Sequence, residues 1–311
     1  MDYLAEINRL RREKNAVIMA HYYQRSEIQD IADCIGDSLF LAQQAKKTQA
    51  DIIVMCGVHF MGETCKILSP DKKVLVPDLQ AGCSLADSCP ADEFGQFVAE
   101  HPGYTVLSYV NTTAAVKCHT DIVVTSGNAI KIVNSLPKDE KIIFAPDRNL
   151  GAYINAVTGR NMLLWDGACH VHEQFSAEAI LGLKQQHPMA EVLVHPECKK
   201  SVILTADKVG STAVLLKYAL ESDCQEFIVA TESGILHEMQ RKAPSKRFIP
   251  VPPEVGEGTV GCACNECAYM RMNTIEKLYQ CLRDESPEIE VDPAVIERAV
   301  RPIERMLELS K

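Results

Sequence analysis

Three cysteines fall within six positions near the end of the chain, at Cys262, Cys264 and Cys267. Thiolates are soft ligands, and clusters of this kind in an intracellular chain usually bind Zn²⁺ or an iron–sulfur cluster. A four-cysteine zinc site normally uses two compact cysteine pairs, and the sequence has no matching second pair. Further ligands must therefore come from distant positions, and the candidates are two isolated cysteines, Cys83 and Cys169.

Three thiolates on one metal group would leave a coordination position open. Structural sites are normally closed by four ligands, whereas an open position suits Lewis-acid catalysis on a substrate hydroxyl or carboxylate. A [4Fe–4S] cluster with one open iron is the simplest interpretation, and a three-cysteine zinc site is the alternative. His170 and His172, close to Cys169, could also ligate, although a histidine near a cluster more often supports a ligand.

Groups suited to acid–base chemistry follow several apolar runs. They are His21, Tyr23, Tyr109, His195 and Glu197. Imidazoles titrate near neutral pH, and burial can raise the pKa of a glutamate into the same range. Asn111 adds an amide able to bind a carboxylate or carbonyl group. We expect these side chains to form a catalytic pocket, with structural hydrogen bonds as the alternative for any one of them.

Apolar strand-like runs alternate with helical patterns along the chain, which indicates βα units and parallel sheets. Nine strands are predicted, at residues 17–20, 52–55, 74–76, 106–109, 121–124, 142–144, 192–195, 227–229 and 248–251. In the first third, helices are predicted over 30–47 and 60–68. The tail, over 289–311, is predicted to be a terminal helix.

The pattern repeats three times in phase. A polar residue at the end of each first strand is followed, seventeen residues later, by a hydroxyl residue that opens a helix. The pairs are His21 and Ser38, Tyr109 and Ser126, and His195 and Thr212. Each third also ends with a cysteine. Since parallel sheets bind ligands at the carboxyl ends of their strands, three such ends around one axis would bring these residues together. The alternative is that βα units resemble one another generically.

The three hydroxyl residues have a common position, where a loop becomes a helix. For one isolated site, capping of the helix is the simpler interpretation. Three in phase favour an anion site, because free N–H groups and a hydroxyl at a helix N-terminus attract negative charge. The sequence therefore predicts a pocket for a small polyanion bearing carboxylates or phosphate.

The bulk composition limits the function classes. The net charge of −10 and the pI near 5.4 argue against non-specific nucleic-acid binding. No apolar run approaches the roughly 20 residues that span a bilayer, and residues 1–6 lack a secretory pattern. We expect a cytoplasmic protein whose 13 cysteines are mostly buried free thiols.

The motifs resemble those of the quinolinate synthase family over nearly the whole chain. They are His21-Tyr22-Tyr23-Gln24, Asp30-Ile31-Ala32-Asp33, Gly36-Asp37-Ser38, Tyr109-Val110-Asn111-Thr112-Thr113, Pro146-Asp147-Arg148-Asn149-Leu150-Gly151, His195-Pro196-Glu197-Cys198, Val209-Gly210-Ser211-Thr212 and Cys267-Ala268-Tyr269-Met270-Arg271-Met272-Asn273-Thr274. The resemblance implies three homologous αβα (Rossmann-like) domains with pseudo-threefold symmetry. It implies condensation of iminoaspartate with dihydroxyacetone phosphate to quinolinate, phosphate and water, a step in NAD biosynthesis.

The resemblance also implies a [4Fe–4S] cluster held by Cys83, Cys169 and Cys267. Cys267 is favoured because it directly precedes the matching Met-x-Met-Asn run, although some members have Cys-x-x-Cys-x-x-Cys where this chain has Cys-x-Cys-x-x-Cys. Cys262 and Cys264 would then be spare thiols.

Substrate binding is expected from seven side chains and one catalytic glutamate. They are His21, Ser38, Tyr109, Asn111, Ser126, His195, Thr212 and Glu197. Tyr23 and Glu197 are the candidates for proton transfer, with His21 and His195 beside them. An L-aspartate oxidase or dehydrogenase that makes the labile imine is the expected transient partner. Domains are expected at 1–84 (joined by the helix at 289–311), 85–170 and 171–268, with a C-terminal helical segment at 269–311.

Two other functions fit part of the pattern. Another iron–sulfur hydro-lyase acting on a small hydroxy acid would use the same open iron without a phosphate-bearing substrate. A non-catalytic iron–sulfur sensor would not need acid–base groups repeated at three strand ends, and the sequence shows no basic DNA-binding face.

Overall fold

Three parallel sheets of four strands each form the framework of the computed structural model, which describes residues 2–254 and 265–311. The strands of the first sheet are β1 (Ala16–His21), β2 (Cys34–Gly36), β3 (Ile52–Cys56) and β4 (Lys73–Leu75). Those of the second are β5 (Thr105–Tyr109), β6 (Ile122–Val124), β7 (Ile142–Ala145) and β8 (Leu163–Leu164). Those of the third are β9 (Glu191–Val194), β10 (Lys208–Val209), β11 (Glu226–Ala230) and β12 (Arg247–Pro250). The strand orders are β2-β1-β3-β4, β6-β5-β7-β8 and β10-β9-β11-β12, so the three sheets share one topology.

Helices connect the strands. Those before and within the first sheet are α1 (Tyr3–Glu13), α2 (Ser26–Ile31), α3 (Ser38–Lys47), α4 (His59–Leu68) and α5 (Ser84–Asp87). Those around the second are α6 (Ala91–Ala99), α7 (Ala114–Lys117), α8 (Ala129–Ser135), α9 (Arg148–Thr158) and α10 (His170–Glu173). Those around the third are α11 (Ala177–Gln186), α12 (Lys200–Ile203), α13 (Thr212–Glu221) and α14 (Ile235–Lys242). A 3₁₀ turn (Met270–Met272), α15 (Ile275–Asp284) and α16 (Pro293–Leu309) follow. Central strands such as β3 are buried along their whole length because helices cover both faces. The predicted α/β class is confirmed.

An aspartate holds the first strand of each sheet in the same way. Its carboxylate accepts a hydrogen bond from a strand N–H, and its own N–H donates to the carbonyl of the same strand residue. The pairs are Asp33 with Ile18, Asp121 with Val106 and Asp207 with Val192, with carboxylate distances of 2.9, 2.8 and 2.8 Å. The repeat seen in the sequence therefore extends to individual side-chain hydrogen bonds.

The helix predicted over residues 30–47 is wrong. The short strand β2 interrupts it and pairs with β1, with Ile35 opposite Ala20. The β-branched Ile35 between Asp33 and Gly36 suits an extended segment, whereas a helical pattern alone cannot reveal a strand of three residues. β8 and β10, each of two residues, were missed for the same reason. The helix predicted over 60–68 is confirmed as α4.

The C-terminal segment packs on two sheets. α15 packs on α1, and Ile289 N–H then donates to the carbonyl of Val74 beside β4. α16 begins at Pro293 rather than at 289 and packs mainly on β6 and α7 of the second sheet, while also touching α4. The domain boundaries given above stay predictions. Among the described residues, no helix has both the length and the apolar composition needed to span a bilayer.

Candidate active site

One cavity is lined by all the side chains that the sequence singled out and the structure describes. They are His21, Tyr23, Ser38, Cys83, Tyr109, Asn111, Ser126, Cys169, His195, Glu197, Thr212 and Cys267. The carboxyl ends of β1, β5 and β9 deliver His21, Tyr109 and His195 to it. The repeated topology thus places three equivalent strand ends around one space, as the phase of the motifs predicted. The chemical roles of these residues stay predictions.

Each of the three cysteines lies at or shortly before the start of a helical turn. Cys83 and Cys169 are the N-cap residues of α5 and α10, and Cys267 lies three residues before the 3₁₀ turn. Backbone N–H groups in the turn after each cysteine act to lower the pKa of its thiol: those of Leu85 and Ala86 at Cys83, that of His172 at Cys169, and those of Tyr269 and Met270 at Cys267. Such donors stabilise a thiolate.

The cysteines fit a metal group held by three thiolates. Burial raises the pKa of all three thiols, and that of Cys83 reaches about 12. The neighbouring Cys267 adds to the rise at Cys83, and Glu197 and Cys83 add to it at Cys169. The sulfurs are therefore close enough to interact, and none is in a disulfide. A bound cation reverses this balance and deprotonates coordinating thiols. Cys262 and Cys264 lie outside the described residues.

A second set of possible ligands lies beside the first. Ligand atoms of Cys169, His172 and Glu197 fall within 4.8 Å of one another. However, His172 is already engaged on both ring nitrogens: Nδ1 lies 3.1 Å from Glu197 Oε2, and Nε2 lies 3.0 Å from Thr231 Oγ1. We therefore assign His172 and Glu197 to a hydrogen-bond network rather than to a metal.

This network runs across the cavity between two tyrosines. Tyr109 Oη donates to Glu197 Oε1 at 2.6 Å, and Glu197 contacts His172. His172 contacts Thr231, whose hydroxyl lies 2.8 Å from Tyr23 Oη. Burial raises the pKa of both tyrosines well above the usual value, so both hydroxyls stay protonated. The result is a continuous chain of exchangeable protons.

Burial can raise the pKa of a glutamate, but the pKa of Glu197 is lowered. Burial alone would raise it, but His172 and the Tyr109 hydroxyl, both hydrogen-bonded to the carboxylate, outweigh burial and lower the pKa. Glu197 is therefore a carboxylate at neutral pH. Burial lowers the pKa of His21 to about 4 and that of His195 to about 3, so both imidazoles are neutral there. His21 Nδ1 accepts from the Tyr23 N–H at 3.1 Å.

The hydroxyl residues are not the helix caps. Asp37 and Ser211 are the N-caps of α3 and α13, and their side chains accept from the backbone of the first turn. Ser38 and Thr212 are one position further on, and both residues line the cavity. Ser126 lies in the turn before α8 and lines the cavity. The capping alternative therefore fails for Ser38 and Thr212, whereas Ser126 lies earlier than expected.

Sequence reasoning missed Thr231 and Glu232, and gave His172 only a supporting role. Glu232 lines the cavity and accepts from the N–H groups of Gly234 and Cys267 and from the Arg271 side chain. Burial raises the pKa of Glu232 to about 7. A signal was available, since Thr231 and Glu232 directly follow β11, at a strand end like those that supplied the other candidates.

Comparison with known proteins agrees with this geometry. The family model described as "NadA: Quinolinate synthetase A protein" matches residues 5–308. Proteins named quinolinate synthase from Microcystis aeruginosa and Thermosynechococcus vestitus are each 57% identical to this chain, over 99% and 100% of its length and 95% and 96% of theirs. One from Chloroherpeton thalassium is 54% identical over 100% of this chain and 95% of its own. The chain belongs to the quinolinate synthase family.

Proposed function

We propose that this enzyme condenses iminoaspartate with dihydroxyacetone phosphate to give quinolinate, phosphate and water, in NAD biosynthesis. One observation carries the proposal beyond the family name. Three cysteines from distant segments line the same cavity as the polar residues of three strand ends. An arrangement of this kind suits a reaction that needs a Lewis acid, anion binding and proton transfer in one enclosed space.

Cys83, Cys169 and Cys267 would hold a [4Fe–4S] cluster. When bound, the cluster supplies an open iron able to act as Lewis acid on a substrate oxygen. A three-cysteine donor set with no fourth cysteine described at the cavity supports that proposal over a closed four-thiolate site.

The protein's own groups would bind the carboxylates and phosphate. Ser38, Ser126 and Thr212 offer hydroxyls, and Asn111 offers an amide. His21 and His195 are neutral and act as hydrogen-bonding groups rather than as cations. These three hydroxyls and two neutral imidazoles can donate hydrogen bonds to an anion, and they do not take up protons at neutral pH.

Tyr23 and Glu197 would move protons during isomerisation, imine closure and dehydration. Tyr23 is a protonated donor, and Glu197 is a carboxylate acceptor. Thr231 and His172 connect them, so a proton released at one end can be returned from the other without bulk water. Enclosure also protects the imine from hydrolysis. A cytoplasmic location and transient contact with an aspartate oxidase or dehydrogenase are part of this proposal.

The test is metal analysis after anaerobic purification, followed by the condensation assay. Wild type should contain about four iron and four sulfide per chain, and Cys83→Ser, Cys169→Ser and Cys267→Ser should each lose them together with quinolinate formation. Cys224→Ser, at a partly buried cysteine outside the cavity, is the matched control and should keep both. Zinc in place of iron would overturn the cofactor. A cluster that survives Cys267→Ser but is lost in Cys262→Ser or Cys264→Ser would overturn the third ligand.

A further inference from the structure

Lys117, the last residue of α7, is completely buried. Its ammonium donates to the carbonyl oxygens of Val110 and Thr112 at 3.0 and 2.5 Å, and to Thr112 Oγ1 at 3.2 Å. A fully buried lysine is rare, because burying a charge costs much free energy unless the charge is fully hydrogen-bonded. Here three oxygen acceptors from one short segment supply those hydrogen bonds.

The segment that Lys117 binds carries a cavity residue. Val110 and Thr112 flank Asn111, whose side chain lines the cavity. The amide oxygen of Asn111 is buried and has no hydrogen-bond partner among residues 2–254 and 265–311. The Thr112 hydroxyl also donates to the Tyr109 carbonyl at 3.0 Å, so the whole turn from 109 to 112 is wrapped around the ammonium. The orientation of Asn111 therefore depends on carbonyls that Lys117 holds away from the cavity.

The charge of Lys117 is unusual for this part of the molecule. Within the described residues, the cavity lining includes Asp37, Glu197 and Glu232 but no lysine or arginine. Lys117 lies behind that lining, with its ammonium 5.8 Å from the ring centre of Phe60, a lining residue. Burial lowers the pKa of Lys117 to about 8, opposed by the nearby charge of Glu63, so most of the ammonium remains charged at pH 7.

We propose that Lys117 is a positioning residue for the anionic substrate. It binds the carbonyls on both sides of Asn111 and thereby turns the Asn111 amide into the cavity. Without the ammonium, the buried Thr112 carbonyl oxygen loses its partner and the Val110 carbonyl oxygen keeps only the Thr112 N–H, so the turn rearranges to hydrate them. The inference rests on the proposed function, because it takes the cavity to bind a dicarboxylate.

The test is a double-mutant cycle on the binding of quinolinate to the anaerobic holoenzyme. We expect Lys117→Met and Asn111→Ala each to weaken the Kd by about tenfold. The double variant should bind no more weakly than Asn111→Ala, because Lys117 acts through Asn111. Lys246→Met is the matched control: Lys246 also binds two backbone carbonyls and lies 5.5 Å from the Phe227 ring, away from the cavity. It should lose stability and keep the wild-type Kd. Unchanged binding in Lys117→Met, or additive losses in the double variant, would overturn the inference.

Amide hydrogen exchange of the ligand-free protein separates the two proposals. Exchange in residues 109–113 should rise at least tenfold in Lys117→Met and remain at the wild-type rate in Lys246→Met. Lys117→Gln keeps N–H donors without the charge and serves if Lys117→Met does not fold. If wild type fails to bind quinolinate, the proposed function is wrong, and the exchange result alone then decides the positioning role. Unchanged exchange in 109–113 rejects it.

Discussion

At the residue scale, the cavity keeps its titratable groups in fixed protonation states. Burial holds His21 and His195 neutral and Tyr23 and Tyr109 protonated, while hydrogen bonds keep Glu197 ionised. Each group is then committed to one role, as donor or acceptor. In the proposed mechanism, proton transfer would proceed along the connected network rather than by exchange with solvent.

Tyr23→Phe tests one end of that network. The variant keeps the ring, which packs edge-on against His21 at a centroid distance of 4.5 Å, and loses only the hydroxyl bonded to Thr212 and Thr231. We expect wild-type iron content and a kcat lower by a factor of about 10²–10⁴ in steady-state quinolinate formation. Tyr153→Phe, at a partly buried tyrosine of α9, is the control. A near-normal kcat would remove Tyr23 from the mechanism.

Glu197→Gln tests the other end. The substitution preserves size and removes the charge that accepts from Tyr109 and His172. Iron content should be retained, and kcat should fall by about 10²–10⁴ in the same assay. A loss confined to KM would instead assign Glu197 to substrate binding alone.

His21→Gln should change the pH dependence of stability. An unfolded histidine titrates near 6.5, whereas the pKa of His21 in the folded protein is about 4. Below pH 6.5 the unfolded chain therefore binds more protons, and wild type loses about 2 kcal/mol from this residue by pH 5. The variant should show a correspondingly smaller loss in the free energy of unfolding between pH 7 and pH 5, measured with urea. His101→Gln, outside the cavity, is the control and should lose as much free energy of unfolding between pH 7 and pH 5 as wild type does. A smaller loss in His101→Gln as well would contradict the assignment of the effect to His21.

At the element scale, equivalent strands and helices are held by equivalent local contacts. Asp33, Asp121 and Asp207 each bind a buried strand N–H, and Asp37 and Ser211 each cap the helix that presents a hydroxyl to the cavity. These contacts place the strand ends and helix starts in register with each other. The site geometry thus depends partly on residues outside the cavity lining, namely Asp33, Asp121, Asp207 and Ser211.

Asp121→Ala should destabilise the second sheet. It leaves the buried N–H of Val106 without its side-chain partner, which costs about 1–2 kcal/mol after allowance for the exposed position of the aspartate. Urea unfolding measures the change, and Asp33→Ala and Asp207→Ala should show changes of similar size. Asp139→Ala, at an exposed loop aspartate, should stay within about 0.5 kcal/mol of wild type. Three unrelated values would show that the repeated bonds are not energetically equivalent.

At the scale of the whole molecule, the first and third sheets meet at the turn that carries Tyr23. Gln29 Nε2 lies 2.9 Å from the carbonyl oxygens of Tyr22, Gln24 and Gly234. This contact joins the loop after β1 to the start of α14. The residues on both sides of Tyr23 are therefore tied through Gln29 to Gly234, at the start of α14.

Gly234→Ala should disturb this junction. A Cβ at Gly234 would lie 2.8 Å from Tyr23 Cα and 2.9 Å from the Tyr22 carbonyl oxygen, both backbone atoms that cannot move aside locally. We expect kcat to fall by at least about tenfold, because a displacement of Tyr23 by about 1 Å would misplace its hydroxyl. Iron content should be retained. Gly182→Ala in α11, where a Cβ has no neighbour within 4 Å, is the control and should leave kcat unchanged. Normal turnover in Gly234→Ala would mean that the junction adapts.

Most strands and the threefold repeat could be predicted from the sequence. Apolar runs mark central strands, because a strand covered on both faces must be apolar throughout. The fixed spacing of seventeen residues placed polar side chains at equivalent strand ends, and these do line one cavity. The short strands β2, β8 and β10 escaped because so short a segment has no periodicity of its own.

What the tertiary structure alone decided is which groups touch and how they titrate. Tyr23 meets Thr212 and Tyr109 meets Glu197 across 189 and 88 residues of chain, and no local pattern encodes those contacts. Burial and through-space charge set a pKa, so the neutral imidazoles, the ionised Glu197 and the raised pKa of Glu232 appear only once the three sheets are assembled. Sequence periodicity records which way a backbone segment faces, whereas titration depends on every neighbour in space.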